Sequence, residues 1–332
     1  NAGGVLPEHW IATIVEAIEA GMDVASGLHV RLGSVEPIRQ AAERRGARLH
    51  DVRHADRSFA TGKGAKRPGK RLLTVGTDCS VGKKYTALAL EREMAVRGFD
   101  AEFCATGQTG VLIAGRGIAV DAVVADFISG AVEWLSPAAG ENHWQLVEGQ
   151  GSLFHPSFAG VTLGLLHGAQ PDAFVVCHEP TRTHMRGVKH PLPTIGQVID
   201  LTIQLGRLTN PDIRPAGIAL NTQALGDDEA RLRQMRAQRF DQRESGHEQG
   251  RELPRHQREI VGREGGPSDR VRGPQAGFLA PHHALPLFFH IGGKDAFFPK
   301  LQPRDFHVLG IDNPRRCRAV VAIAAILIDR HG

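Results

Sequence analysis

Cysteine is scarce and unpatterned in this chain. The four present (Cys79, Cys104, Cys177 and Cys317) show no C-x-x-C spacing and no pairing pattern, so they read as reduced thiols of a cytoplasmic protein and not as a disulfide framework. No G-x-G-x-x-G occurs in the early strand–helix alternation, and dinucleotide binding is therefore not supported. No signal peptide is visible, and the longest late apolar run, residues 319–328, falls short of the ~20 residues that span a bilayer. A large excess of one charge is absent too: 40 Lys and Arg stand against 36 Asp and Glu, for a net charge of +4. Much of the arginine lies after Arg231, so a nucleic-acid reading would rest on the tail alone. The 332 residues, 41% hydrophobic and 23% charged, are enough for two globular domains of ordinary size.

What the chain does have is a strand–loop–helix unit at residues 72–86. An apolar run, Leu72 to Val75, enters Gly76-Thr77-Asp78-Cys79-Ser80-Val81-Gly82-Lys83-Lys84, and a helix-patterned segment leaves it. This is the context a phosphate-binding loop requires. Backbone N–H groups and the positive helix terminus face an anion, Gly82 permits close approach, and Lys83 adds a point charge. The loop is one residue longer between its glycines than the common G-x-x-x-x-G-K-[ST] pattern. Lys84 stands where a magnesium-binding Ser or Thr normally sits, and the nearest hydroxyl is Thr86. Phosphate binding is supported, metal-assisted phosphoryl transfer is not, and no metal site is expected.

Around this unit the chain alternates strand and helix, which predicts a parallel α/β layer. Pro7 opens a helix with Ile11, Ile14, Val15 and Ile18 at helical spacing; strand candidates at 23–28 and 47–52 flank a helix over 36–45. Residues 1–60 read as a truncated Rossmann-like domain. The Gly-rich opening at Asn1 is a turn of the kind that follows a strand, and a preceding strand is expected. Residues 61–70, rich in Gly and Lys, read as a solvated hinge. A P-loop NTPase-like parallel sheet domain is predicted over 71–230. Its strands are expected at 101–106, 144–147, 174–177 and 216–220, with helices at 120–135 and 195–208. Beyond Arg231 apolar periodicity fails, and residues 231–332 are expected to be disordered or out of frame, with a genuine Arg-rich arm as the competing reading.

Several strands end in polar clusters, which favours an enzyme site over a structural module. One strand delivers Glu148 beside glycines. It reads as a magnesium ligand or general base, or as a carboxylate accepting backbone N–H bonds. His155 reads equally as acid/base or structural. Glu179, Arg182, His184 and Arg186 crowd another strand end; the arginine forks suit an acidic substrate or a phosphate, and a mutually neutralising surface network is the alternative. Asn221 reads a purine edge or caps a helix. Cys79, near a helix N-terminus, is expected to have a lowered pKa and a spectator role.

The loop 76–83 and the run Val147-Glu148-Gly149-Gln150-Gly151 resemble dethiobiotin synthetase-type P-loop proteins. With Gly107-Gln108-Thr109-Gly110, Ala114-Gly115-Arg116-Gly117, residues 148–156 and His178-Glu179-Pro180-Thr181-Arg182, the chain over about 1–231 more closely resembles a bacterial family catalogued as a domain of unknown function. Members of that family include D-glutamate N-acetyltransferases. The resemblance implies acetyl transfer from acetyl-CoA to the amine of D-glutamate or a similar acidic amino acid. The loop would hold coenzyme phosphates, and Glu148 or Glu179 would be the base, with His184 behind them. Arg116, Arg182 and Arg186 would sit on the substrate side. A dethiobiotin synthetase-type kinase or ligase, using Lys83, Thr86 and Glu148 on Mg-ATP and Asn221 on adenine, is the alternative. A non-catalytic phosphate-ligand or nucleic-acid binder is the third reading. A homo-oligomer is expected; membrane and nucleic acid are not expected partners.

Overall fold

The computed structural model describes residues 6–225 and Glu229. The opening turn, the tail after Arg231 and Cys317 lie outside the described residues. The first unit comprises α1 (Glu8–Glu19), β1 (Val24–Ser26), α2 (Glu36–Arg45) and β2 (Leu49–Asp51), with β1 and β2 paired in parallel. The apolar stripe of α1 has the spacing that buries Ile18 against Leu32, Ile38 and Ala41.

The second unit is a five-stranded parallel sheet in the order β4-β5-β3-β6-β7. These strands are β3 (Lys70–Gly76), β4 (Ala101–Cys104), β5 (Trp144–Val147), β6 (Ala173–His178) and β7 (Arg214–Leu220). The helices are α3 (Lys83–Val96), α4 (Gln108–Ala114), α5 (Ile128–Leu135), α6 (Ala159–Ala169) and α7 (Ile195–Gly206). Both sheet faces are covered, which is why the strands read as continuous apolar runs. Neighbours in sequence point to opposite faces. Leu73, Phe174 and Val176 pack toward α5, α6 and α7, while Leu72, Val175 and Cys177 pack toward Leu90 and Met94 of α3. Each fully buried side chain of this size contributes about 1.5–3 kcal/mol. Parallel order brings the carboxyl ends of all five strands to one edge, with β3 in the middle.

Two helices depart from the sequence expectation. α4 and α6 both form where the sequence pattern predicts no helix. α6 carries glycine at 160, 164 and 168, which lowers its helix propensity. Packing requires two of them: a Cβ at Gly164 would lie 2.8 Å from an Ile128 methyl, and one at Gly168 2.4 Å from the Ser129 carbonyl. Conversely, the helix expected over 120–135 begins only at Ile128. Two short 3-10 turns precede it, because Val123 and Val124 are extended and β-branching disfavours the helical rotamer.

Residues 61–66 are exposed, and the segment 61–70 is tied to the second unit at a few points. The N–H groups of Lys63 and Gly64 donate to Glu133. Arg67 donates to the Ser136 and Gly168 carbonyls and to Gln170, and burial lowers its pKa to about 10. Fully buried Arg71 donates to the carbonyls of Arg67, Pro68, Ser136 and Pro137. These guanidinium groups satisfy carbonyls that the ends of α5 and α6 leave without intrahelical donors. Composition shows the charge but not these acceptors. Arg71→Leu is expected to lower stability by about 2–4 kcal/mol by orphaning those carbonyls, read as a lower urea midpoint at unchanged slope.

Candidate active site

A cavity of about 460 Å³ opens at the carboxyl edge of the sheet, between the β3–α3 loop, the start of α4 and the turn after β5. The loop builds its near wall. Gly82 adopts φ 108°, a left-handed conformation that favours glycine, and leads directly into α3. Cys79, Ser80, Gly82, Lys83 and Lys84 line the wall. Lys83 is 6% exposed and its ammonium donates to the Asp78 carbonyl at 2.7 Å; burial pulls its pKa down.

Glu148 forms the opposite wall. Its Oε2 accepts the N–H groups of Thr106 and Gly107 at 3.0 and 3.2 Å. Burial pushes its pKa up, and those hydrogen bonds with the charges of Lys84 and Lys83 only partly oppose it. Two glycines make this approach possible. A Cβ on Gly110 would stand 2.3 Å from Oε2, and one on Gly149 would stand 1.5 Å from the Thr74 carbonyl of β3. The Gly107-x-x-Gly110 spacing is thereby explained by the carboxylate it surrounds. Both readings of Glu148 meet here: it accepts backbone N–H bonds, and it faces the cavity.

The remaining loop residues face inward. Thr77 has no solvent exposure and pairs with the His178 ring at 3.1 Å. Thr86 is buried with its hydroxyl 3.4 Å from Cys177 Sγ. Val81 is part of the core beneath α3, and Gly76 packs against it. Asp78 is fully buried and accepts from the Arg182 guanidinium, the Arg186 N–H and the Cys79 N–H, each at 2.7 Å. Burial would raise its pKa, but these donors outweigh burial and hold it below the ordinary carboxylate range. The Cys79 thiol is pushed up by burial and by Asp78, against the expected lowering at a helix N-terminus. Burial likewise raises Cys177 to about 11 and Cys104 to about 12, and all three are free thiols.

Asp78, Cys79 and His155 bring ligand atoms within 4.8 Å of one another. The chain already engages them. His155 is buried, accepts the Ser157 N–H at Nδ1 and therefore donates from Nε2 to the Arg186 carbonyl. The trio is internal scaffolding of the loop.

A profile described as the P-loop domain of DUF1611, a domain of unknown function, matches residues 58–241, and one described as its Rossmann-like N-terminal domain matches residues 1–55. The chain belongs to the DUF1611 family. A Pseudoalteromonas protein named D-glutamate N-acetyltransferase is 56% identical to this DUF1611 chain, covering 68% of each. One of the same name from Tritonibacter scottomollicae is 50% identical, covering 69% of each. The crystal structure of a DUF1611 family protein from Anabaena variabilis matches with a TM-score of 0.65 at 36% identity, over 70% of this chain and 69% of that one.

In this DUF1611 member the cavity gathers Cys79, Ser80, Gly82, Lys83, Lys84, Glu148 and Asn221 from the residues singled out in the sequence, with Gln108 and Gln150 of the quoted motifs, and adds Tyr85 and Gln223. Nothing local marks Tyr85 or Gln223; only the meeting of strand ends places them. Arg116, Glu179, Arg182, His184 and Arg186 do not line the cavity. Arg182 is engaged by Asp78, Glu179 and the Cys79 carbonyl. Arg116 pairs with Glu102 of β4. Arg186 is exposed, as is His184, which pairs with Thr183. Gly110→Ala is expected to displace the Glu148 carboxylate and reduce catalysis by at least about tenfold. Thermal unfolding of the purified variant, compared with its turnover, checks that the loss is local.

Proposed function

We infer that this chain transfers an acetyl group from acetyl-CoA to the amine of D-glutamate. The observation that carries the reading is the naming of two relatives, 56% and 50% identical over more than two thirds of the chain, as D-glutamate N-acetyltransferases. The cavity fits such a reaction, with two lysines and loop N–H groups on one wall and a buried carboxylate on the other.

The coenzyme supplies the acetyl group as an activated thioester. Lys83, Lys84 and the loop after β3 hold its phosphates. Glu148 takes the proton that the acceptor ammonium must lose before its nitrogen bonds the acetyl carbon and the carbon–sulfur bond breaks. A buried carboxyl with a raised pKa is a stronger base than an exposed one. Thr106 and Gly107 fix its orientation through Oε2. Arg182, committed to Asp78 and Glu179, holds the loop and does not clamp the acceptor. Its side-chain partners are charged and partly buried, a geometry in which lysine cannot replace the fork. The three free thiols suit a cytoplasmic setting, and among the described residues no helix is long and apolar enough to cross a membrane.

Glu148→Gln tests the base. The amide oxygen still accepts both N–H bonds, but the base is lost, so turnover is expected to fall by about 10²–10⁴. In the wild type, activity is expected to rise with pH through an acidic limb lying above the ordinary value of 4.5, because burial raises the Glu148 pKa. Because the folded state binds this proton more tightly than the unfolded state, its ionisation costs stability as pH rises through that window. Glu148→Gln is therefore expected to be at least as heat-stable as the wild type at neutral pH. An active Glu148→Gln enzyme would move the base elsewhere.

A further inference from the structure

We propose that Lys84 takes the place of a divalent cation in this loop, so that the cavity holds an esterified diphosphate without a metal ion. The inference rests on the coenzyme reading and names the group that sets the charge of its ligand.

A phosphate loop that binds magnesium presents a hydroxyl directly after the loop lysine, and the ion sits between that hydroxyl and a strand-end carboxylate. Here the position after Lys83 is a second lysine, in the first turn of α3 and in the cavity wall. The threonine hydroxyls of the loop and the start of α3 are turned elsewhere: Thr86 is buried against Cys177, and Thr77 is buried against His178. One oxygen of the strand-end carboxylate is engaged as well, since Glu148 Oε2 accepts two backbone N–H groups. The charges of Lys84 and Lys83 both act on that carboxylate, and all three side chains line the cavity. The space between the loop and the strand end therefore already carries the positive charge a metal ion would supply.

Charge then decides the ligand class. A diphosphate esterified at both ends has one ionised oxygen per phosphorus, which Lys83 and Lys84 balance. A nucleoside triphosphate carries more charge on one contiguous chain than two ammonium groups neutralise, whereas the coenzyme's 3′-phosphate is a separate group on the ribose. Lysine is a compact point charge with rotatable donors, suited to non-bridging oxygens of neighbouring phosphates.

Titration calorimetry of the full chain with acetyl-CoA, in EDTA and again in magnesium chloride, tests this. The wild type is expected to bind equally in both. Lys84→Thr, which restores the usual hydroxyl, is expected to lose about tenfold in EDTA and to recover when magnesium is added. Lys84→Arg is expected to keep cation-independent binding. Wild-type binding that collapses in EDTA overturns the proposal, and this comparison needs no variant to fold. Lys84→Thr binding like the wild type in EDTA also overturns it. ADP-ribose, whose diphosphate is esterified at both ends, is titrated in parallel. If only ADP-ribose binds, indifferent to magnesium and dependent on Lys84, the coenzyme reading fails and this one stands. If both ligands require magnesium, this one fails while the coenzyme reading survives. If neither binds, both fail.

Discussion

The phosphate loop is held from beneath by a carboxylate that solvent never reaches. Asp78 is part of the loop itself, yet it accepts hydrogen bonds from the Arg182 side chain and from the backbone of Arg186, both delivered by the segment after β6. An unpaired charge at that depth would be prohibitive, so the loop and the segment must be placed together. His155 adds a third strand end, since its ring donates to the Arg186 carbonyl. The walls of the cavity are thus fixed by what lies behind them. Charges that look available in the sequence are consumed in building the surface on which the ligand rests.

On the open side the balance is different. Lys83, Lys84 and Glu148 face a common space, and burial acts on them with opposite consequences: it weakens the hold of Lys83 on its proton and strengthens that of Glu148. The two shifts are coupled, because each lysine's charge opposes the rise at Glu148. An anion drawn to the lysines would relax that opposition and raise the carboxyl's proton affinity further. Anion binding at the lysines and the proton affinity of Glu148 are linked in this arrangement, as they are wherever cations and a carboxyl share one desolvated volume.

The packing between units follows the same economy. Arg53 of the first unit reaches across to Asp121 while donating to the Gly27 carbonyl, and Gly27 sits where any Cβ would strike the Gln108 side chain. Gln108 lines the cavity. The N-terminal unit therefore buttresses a cavity wall, although it contributes none of the lining residues itself.

The sequence alone determined the parallel α/β layout, the loop and its lysines, and the strand end that presents Glu148, because these depend on local periodicity, glycine placement and neighbouring residue types. It also carried the family resemblance, through motifs that stand in fixed order along the chain. Tertiary structure decided what those signals cannot contain. Helix α6 forms despite its glycines because close packing on α5 needs them, and Arg67 and Arg71 become anchors because helix ends place carbonyls around them. Arg182 turns inward because Asp78 lies buried within its reach, over a hundred positions away in sequence. A guanidinium reads the same in a sequence whether it grips a ligand or the protein; its role is fixed by the acceptor the fold sets opposite it.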